Sequence, residues 1–182
     1  MVFCHYLKEV FEALAVHYFK QTTMGHNILA FRITVEWLFV GFGNAYYVFN
    51  PQYTKSAWIS SDQPFVFNMI IGAFVFAEFM SLLSNIHLSA VQEYRDLHPE
   101  GNQLLAIPQH HGFRKVSCAN YFWQLCCWVV IAFCSKTLVG YVYLCWKFFE
   151  LNQKAQKIHY QYVAKYRDEY PQDRRALIPY LF

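Results

Sequence analysis

Asn120, Tyr121 and Gln124 stand together in the run Val116-Ser-Cys-Ala-Asn-Tyr-Phe-Trp-Gln-Leu-Cys-Cys-Trp128, where a polar loop gives way to a long apolar stretch. Polar side chains beside hydrocarbon cost free energy unless they hydrogen-bond a partner, so this trio is a functional candidate. A tyrosine placed there can hand a proton to a reacting carbon near neutral pH and hydrogen-bond a developing negative charge. Asn120 can orient a bound group. Gln124 can donate and accept but cannot carry charge or act as a base. A second acid–base candidate lies in the opening segment. There Glu12 and His17 fall one helical turn plus one residue apart, and Lys8 is four residues before Glu12, an ion-pair spacing.

The elements that must position these groups are membrane helices. Of 182 residues, 56% are hydrophobic and 15% charged, well below the roughly one quarter charged in soluble domains. Eighteen Phe, 14 Tyr and 5 Trp supply the aromatic excess that belts at lipid–water boundaries use. The net charge of +3 resides in loops and the C-terminal tail and makes no basic face, which argues against nucleic-acid binding. The six cysteines lie in apolar context without C-x-x-C or histidines at ligand spacing, so neither a disulfide framework nor a metal site is expected. The first 19 residues carry Lys8, Glu9 and Glu12 and do not read as a cleavable signal.

Leu29 to Phe49 has the length of one span, about 20 residues, with Arg32 and Glu36 four apart and able to neutralise each other. Asn50-Pro51 stops it. The next span runs from Phe65 to about Leu88, with Glu78, Ser84, Asn85 and His87 towards its exit. The polar stretch Gln92 to Lys115 carries Arg95, Arg114 and Lys115, and the positive-inside rule puts it in the cytosol and residues 50–64 in the lumen. Ala119 to Phe149 is a 31-residue apolar stretch with Ser135-Lys136-Thr137 in its middle. As one helix it would be about 46 Å long, longer than the ~30 Å hydrocarbon core, and would send the basic tail to the lumen. A hairpin turning at Ser135–Thr137 keeps the tail cytosolic and is the expected form. Phe3 to Phe19 is helical by pattern, packed on the other helices or lying at the interface. The expected architecture is all-α: a single domain over 1–182, a polytopic membrane bundle of about four to six embedded helices with a basic cytosolic tail.

Four blocks together resemble the very-long-chain trans-2-enoyl-CoA reductases of the steroid 5α-reductase superfamily. They are His5 to Glu12 with Val16-His17-Tyr18-Phe19 and Thr23-Met24; Ala45-Tyr46-Tyr47 with Pro51-x-Tyr53-Thr54; Ser84-Asn85, His87, Arg95-Asp96-Leu97, Ile107-Pro108 and the Val116–Trp128 signature; and His159-x-x-Tyr162-x-x-x-Tyr166 with Tyr170-Pro171, Arg174-Arg175 and Ile178-Pro179. The resemblance covers essentially the whole chain. It implies reduction of a trans-2-enoyl-CoA in the endoplasmic-reticulum membrane, with NADPH as cofactor, a multi-pass topology and other elongation enzymes as partners. Tyr121 then becomes the proton donor, Asn120 its helper and Glu12 a functional acid, with His17 a candidate shuttle. Asn85 and His87 become partners of ribose or nicotinamide. Arg95, Lys115, Arg174 and Arg175, with His159, Tyr162 and Gln124, become the remaining cofactor contacts, since planar Arg suits phosphate oxygens. No G-x-G-x-x-G occurs, so a Rossmann fold is excluded as the means of binding.

Three departures stand out. The family's Lys-Arg pair is Lys8-Glu9, its signature Glu is Gln124, and the spacing of Asn85, His87 and Arg95 slips by about two residues. Family members carry an N-terminal ubiquitin-like region and a further span ahead of the first block, so a fragment or a shortened relative is expected. Two alternative readings follow: a catalytically impaired relative that partners or regulates the elongation machinery, and a steroid or polyprenol double-bond reductase.

Overall fold

The computed structural model describes residues 1–16, 34, 36, 38–50, 52, 64–98 and 105–179. Those residues are mostly helical, with irregular segments at 105–118 and 170–179. Helix α1 is Val2–Phe11, continued by a π-helical turn at Glu12–Val16. A second π turn, Leu38–Phe42, leads into α2, Gly43–Phe49. Helix α3 is Pro64–Leu97, α4 is Ala119–Ser135 and α5 is Leu138–Tyr166, followed by a 3₁₀ turn at Arg167–Glu169. The expected span at 29–49 is described only in its second half, and Arg32, His17 and most of the 50–64 loop lie outside the described residues.

Helix α3 is, among the described residues, the one helix long and apolar enough to cross a bilayer. Its 34 residues give about 51 Å, well beyond the hydrocarbon core. It therefore continues nine residues past Leu88, because Gln92, Glu93 and Arg95 are good helix formers in water. Phe65, Phe67, Met69, Val75, Phe76, Phe79 and Ile86 are all exposed on it, which suits a helix bathed in lipid rather than in water.

Helices α4 and α5 form the expected hairpin. Lys136 takes the left-handed conformation (φ 47°) and Thr137 caps α5, its Oγ1 accepting from the Gly140 amide at 2.9 Å. The same hydroxyl donates to Asn44 Oδ1 at 2.5 Å, fastening α2 to the hairpin tip. Gly140 is required there: a Cβ would come within 2.8 Å of Ser135 Oγ and 2.9 Å of Thr137 Oγ1. Beyond the apolar part, α5 runs on as a polar helix to Tyr166.

Two cores result. Tyr6, Phe74, Ala77, Cys127, Trp128, Ile131 and Tyr143 join α1, α3, α4 and α5. Nearer the polar ends, Cys118, Leu125, Leu151, Ala155, Ala176 and Leu177 join α4 and α5 to the tail. The tail lies parallel to the segment before α4, with hydrogen bonds from Ser117 N to Arg175 O (2.8 Å), Cys118 N to Ala176 O (3.2 Å) and Arg175 N to Lys115 O (3.1 Å). Backbone amides at the entrance to α4, which the helix itself leaves unsatisfied, are thereby paired.

Candidate active site

Charged and polar groups from three helices meet between α1, α3 and α4. His5 is fully buried; its Nδ1 lies 2.5 Å from Glu78 Oε1 and its Nε2 3.3 Å from Glu9 Oε1. Lys8 Nζ is 2.9 Å from Glu78 Oε2, donates to Ser81 Oγ at 2.9 Å and lies 3.4 Å from Glu12 Oε1. Gln124 Nε2 donates to Glu9 Oε1 at 2.5 Å. Each carboxylate of the network has an ammonium or imidazole partner within 3.4 Å, the pairing that ions removed from water need. The α1 side of the network follows from helical spacing, since residues 5, 8, 9 and 12 share one face. The π turn then begins at Glu12, a distortion common at functional positions.

The donor atoms of His5, Glu78 and Cys127 lie within 4.8 Å of one another, a set zinc uses elsewhere. The Lys8 ammonium already sits on that carboxylate, and the His5–Glu78 contact has the length of a hydrogen bond, so the group is closed on itself as an ion-pair network.

A second group assembles where α3, α5, the 105–118 loop and the tail meet. Ser117 Oγ lies 2.6 Å from His159 Nδ1 and 2.5 Å from the Tyr170 hydroxyl. Burial, and then the Arg175 charge, hold the His159 imidazole below its usual range, so the ring is neutral at pH 7. The Ser117 hydroxyl also donates to Arg175 O at 3.2 Å, and burial keeps the Tyr170 phenol protonated. The Arg174 guanidinium is buried over the Tyr170 ring (5.4 Å) and donates through Nη1 to Pro108 O at 2.9 Å. Arg95 lies 5.7 Å from the centre of the buried Tyr162 ring, and the Tyr162 and Tyr170 rings are 6.0 Å apart.

Of the residues singled out in the sequence, this group contains Arg95, His159, Tyr162, Arg174 and Arg175. Lys115 adjoins it through its backbone bond to Arg175, and both side chains are exposed. Asn85 is buried on α3, and its Oδ1 has no hydrogen-bond partner among the described residues. His87, two residues on, accepts from the Gln109 amide at 3.3 Å. Tyr121 is half-buried in the first turn of α4 against the Leu125–Leu151–Ala155–Leu177 core, and among the described residues its hydroxyl makes no hydrogen bond. Asn120 is half-buried beside it. Glu12 is joined to Lys8, and Gln124 is turned toward α1.

Sequence reading passed over His5, Glu78, Ser117 and Tyr170 as working groups. For Glu78 a signal existed: a carboxylate in the middle of an apolar helix demands a partner, and the partners are His5 and Lys8, each 70 or more positions away. Glu36, paired on paper with Arg32, is held by Lys147 of α5 at 3.0 Å.

This helical chain has relatives among known proteins. The profile of the family described as 3-oxo-5-alpha-steroid 4-dehydrogenase matches residues 20–182, and the chain belongs to that family. It is 29% identical, over 97% of its own length and 56% of the relative's, to a Caenorhabditis elegans protein named probable very-long-chain enoyl-CoA reductase art-1. It is 26% identical to the Dictyostelium discoideum very-long-chain enoyl-CoA reductase, over 97% of this chain and 55% of that one. Identity to the Gossypium hirsutum steroid 5-alpha-reductase DET2 is 26%, over 91% of this chain and 67% of the relative. The chain spans about half the length of the first of these relatives.

Proposed function

We propose that this chain carries the reducing site of an NADPH-dependent trans-2-enoyl-CoA reductase of the endoplasmic-reticulum membrane, acting in very-long-chain fatty acid elongation. The observation that carries the reading is the Tyr121 hydroxyl, without a hydrogen bond among the described residues. It stands at the junction between an apolar helix and a loop–tail unit rich in Arg, His and Tyr. The two enoyl-CoA reductase relatives supply the substrate class.

The residues fit a dinucleotide phosphate. Lys115 and Arg175 are exposed cations on adjacent backbones, and the unpartnered Asn85 Oδ1 is a buried acceptor that a carboxamide or ribose hydroxyl would satisfy. Bound there, the cofactor supplies the hydride that adds to C3 of the enoyl thioester. Tyr121 gives a proton to C2, so that one hydride and one proton saturate the double bond, and its phenol is reprotonated from the aqueous side. Asn120 orients the thioester end. His159, Ser117 and Tyr170 hold the tail against the entrance to α4, and Arg95 and Arg174 brace the aromatic pair Tyr162–Tyr170. Glu12 acts through Lys8 as a positioning residue, since the structure joins it to the ion network rather than to Tyr121.

Microsomes carrying the chain should oxidise NADPH when given a long trans-2-enoyl-CoA, and Tyr121→Phe should abolish that turnover. Normal turnover in the variant removes Tyr121 from the mechanism. A second reading, reduction of a steroid double bond, draws on the Gossypium relative; a panel holding both substrate classes separates the two. A third, an impaired relative acting as a partner of the elongation machinery, draws on Glu9 and Gln124. In the structure those two departures contact each other, so the change on α1 is matched by one on α4.

A further inference from the structure

Backbone in a costly shape has to be held there, and beside the polar end of α3 one of the holders is a histidine. His111 adopts φ 57°, a left-handed conformation that persists in a side-chain-bearing residue only where the surroundings impose it. Gly112 follows at φ 103°, where a Cβ would come within 3.2 Å of Ala119 Cβ and 3.4 Å of Trp123 Nε1. Two contacts fasten this turn to α4 and α3. Trp123 Nε1 donates to the His111 carbonyl at 3.2 Å, and Ser84 Oγ, which donates to Met80 O at 2.7 Å, lies 3.2 Å from the same oxygen. A third comes from His87, whose Nε2 accepts from the Gln109 amide at 3.3 Å.

A backbone N–H can only donate, so His87 is neutral in this arrangement, with its ring proton on Nδ1. Protonation of Nε2 sets a donor against a donor and ends the bond. The rings facing His87 from the loop are His110 at 5.2 Å, His111 at 5.9 Å and Phe113 at 6.0 Å, and His110 and His111 are 6.3 Å from each other. From α4, the uncharged Ala119 and Trp123 pack with Phe113 and Leu88. On α3 the ionisable neighbours in sequence are Glu78, held by His5 and Lys8, and Glu93, more than a turn away. No ion pair among the described residues includes any of the three histidines. Each imidazolium formed in this group therefore opposes the next while the turn stays closed, and separation relieves them all.

We propose that His87 is a proton-sensitive catch: neutral, it holds the 109–112 turn on α3 and α4; protonated, it releases the turn and with it the Trp123 bond in the first turns of α4. Asn120 and Gln124 stand on the same stretch of helix, so the catch sets how firmly the entrance to α4 is anchored. Because the open turn binds more protons than the closed one, opening is favoured as pH falls through about 6.5, the ordinary imidazole value. The catch is independent of the assignment of Tyr121 and of the reaction proposed above.

The whole chain, ¹⁵N-labelled at tryptophan and held in detergent micelles, gives an indole N–H resonance for each of its 5 Trp, and Trp123→Phe assigns the relevant one. Between about pH 8 and 5 the Trp123 indole proton should move reversibly upfield as its hydrogen bond is lost. In His87→Gln, whose amide oxygen can take the Gln109 N–H at any pH, that movement should vanish. In His159→Gln it should remain, which separates the catch from the tail junction. His110 is exposed, so His110→Gln should fold as the wild type does, and with one cation fewer beside His87 its transition should lie at higher pH. If His87→Gln does not fold, His110→Gln decides alone. A resonance that stays still down to about pH 5, moves as far in His87→Gln, or stops moving in His159→Gln overturns the proposal. So does a transition in His110→Gln at or below the wild-type pH.

Discussion

Replacing Gln124 by Glu sets a second carboxylate against Glu9, where an amide N–H now donates at 2.5 Å. Two unit charges 4 Å apart repel by about 4 kcal/mol at an effective dielectric near 20. Glu9 is about one third exposed, and His5 lies 3.3 Å from the same oxygen, so solvent and the imidazole offset about half. The expected cost is about 2 kcal/mol, which for a chain of this size lowers the unfolding midpoint by about 4–8 °C. Gln124→Leu removes only the charge-assisted hydrogen bond and should cost about 1 kcal/mol, or about 2–4 °C. The pair Glu9→Gln with Gln124→Glu reverses donor and acceptor and restores the bond. The double variant should therefore be more stable than the sum of its single changes by about 1 kcal/mol or more. Apparent midpoints in detergent micelles, followed by tryptophan fluorescence, read all five proteins: the wild type, the three single variants and the double variant. Additivity within about 0.5 kcal/mol would mean that the two side chains do not touch, and the argument for matched changes at 9 and 124 would fail.

Glu78→Ala should be the most damaging change in the ion network, costing about 3–5 kcal/mol, because it leaves His5 and Lys8 buried with one carboxylate fewer; near-native thermal stability would contradict the placement. Ser117→Ala deletes a hydroxyl shared by His159 and Tyr170 and should cost about 1–3 kcal/mol, with faster amide exchange at residues 117, 118 and 175 as its local mark. Acid should loosen the same junction. The folded state holds His159 below the usual imidazole value, so the unfolded chain binds more protons as pH falls through about 6.5, and stability is lost in that direction. Protection factors at 115–118, taken relative to the intrinsic exchange rate at each pH, should fall between about pH 7 and 5 in the wild type and change little with pH in His159→Gln.

The hairpin was legible because Ser135-Lys136-Thr137 interrupts an apolar run too long for one crossing, and Thr137 is a capping residue by type. Helix ends were less so. Nothing in Gln92–Arg95 or Gln153–Tyr166 stops a helix, so α3 and α5 continue where a polar loop and tail were expected. Arg95, His159, Tyr162 and Arg174 were readable as a group from their pattern, yet their arrangement around Tyr170 depends on the tail folding back 58 positions onto Ser117. Partners so far apart leave no periodicity. The same holds for His87 with His110 and His111, which only the left-handed turn brings to one place.

Pairing of residues 174–177 with 115–118 also sets an order of events during synthesis. When Ser117 and Cys118 leave the ribosome, the carbonyls that will receive their amides have not yet been made. Helix α4 can form at once, but its threshold stays open until Arg175 and Ala176 arrive. A truncation that removes them should leave a nascent chain with its helices formed and its doorway unfinished, the kind of species that cellular quality control is built to notice.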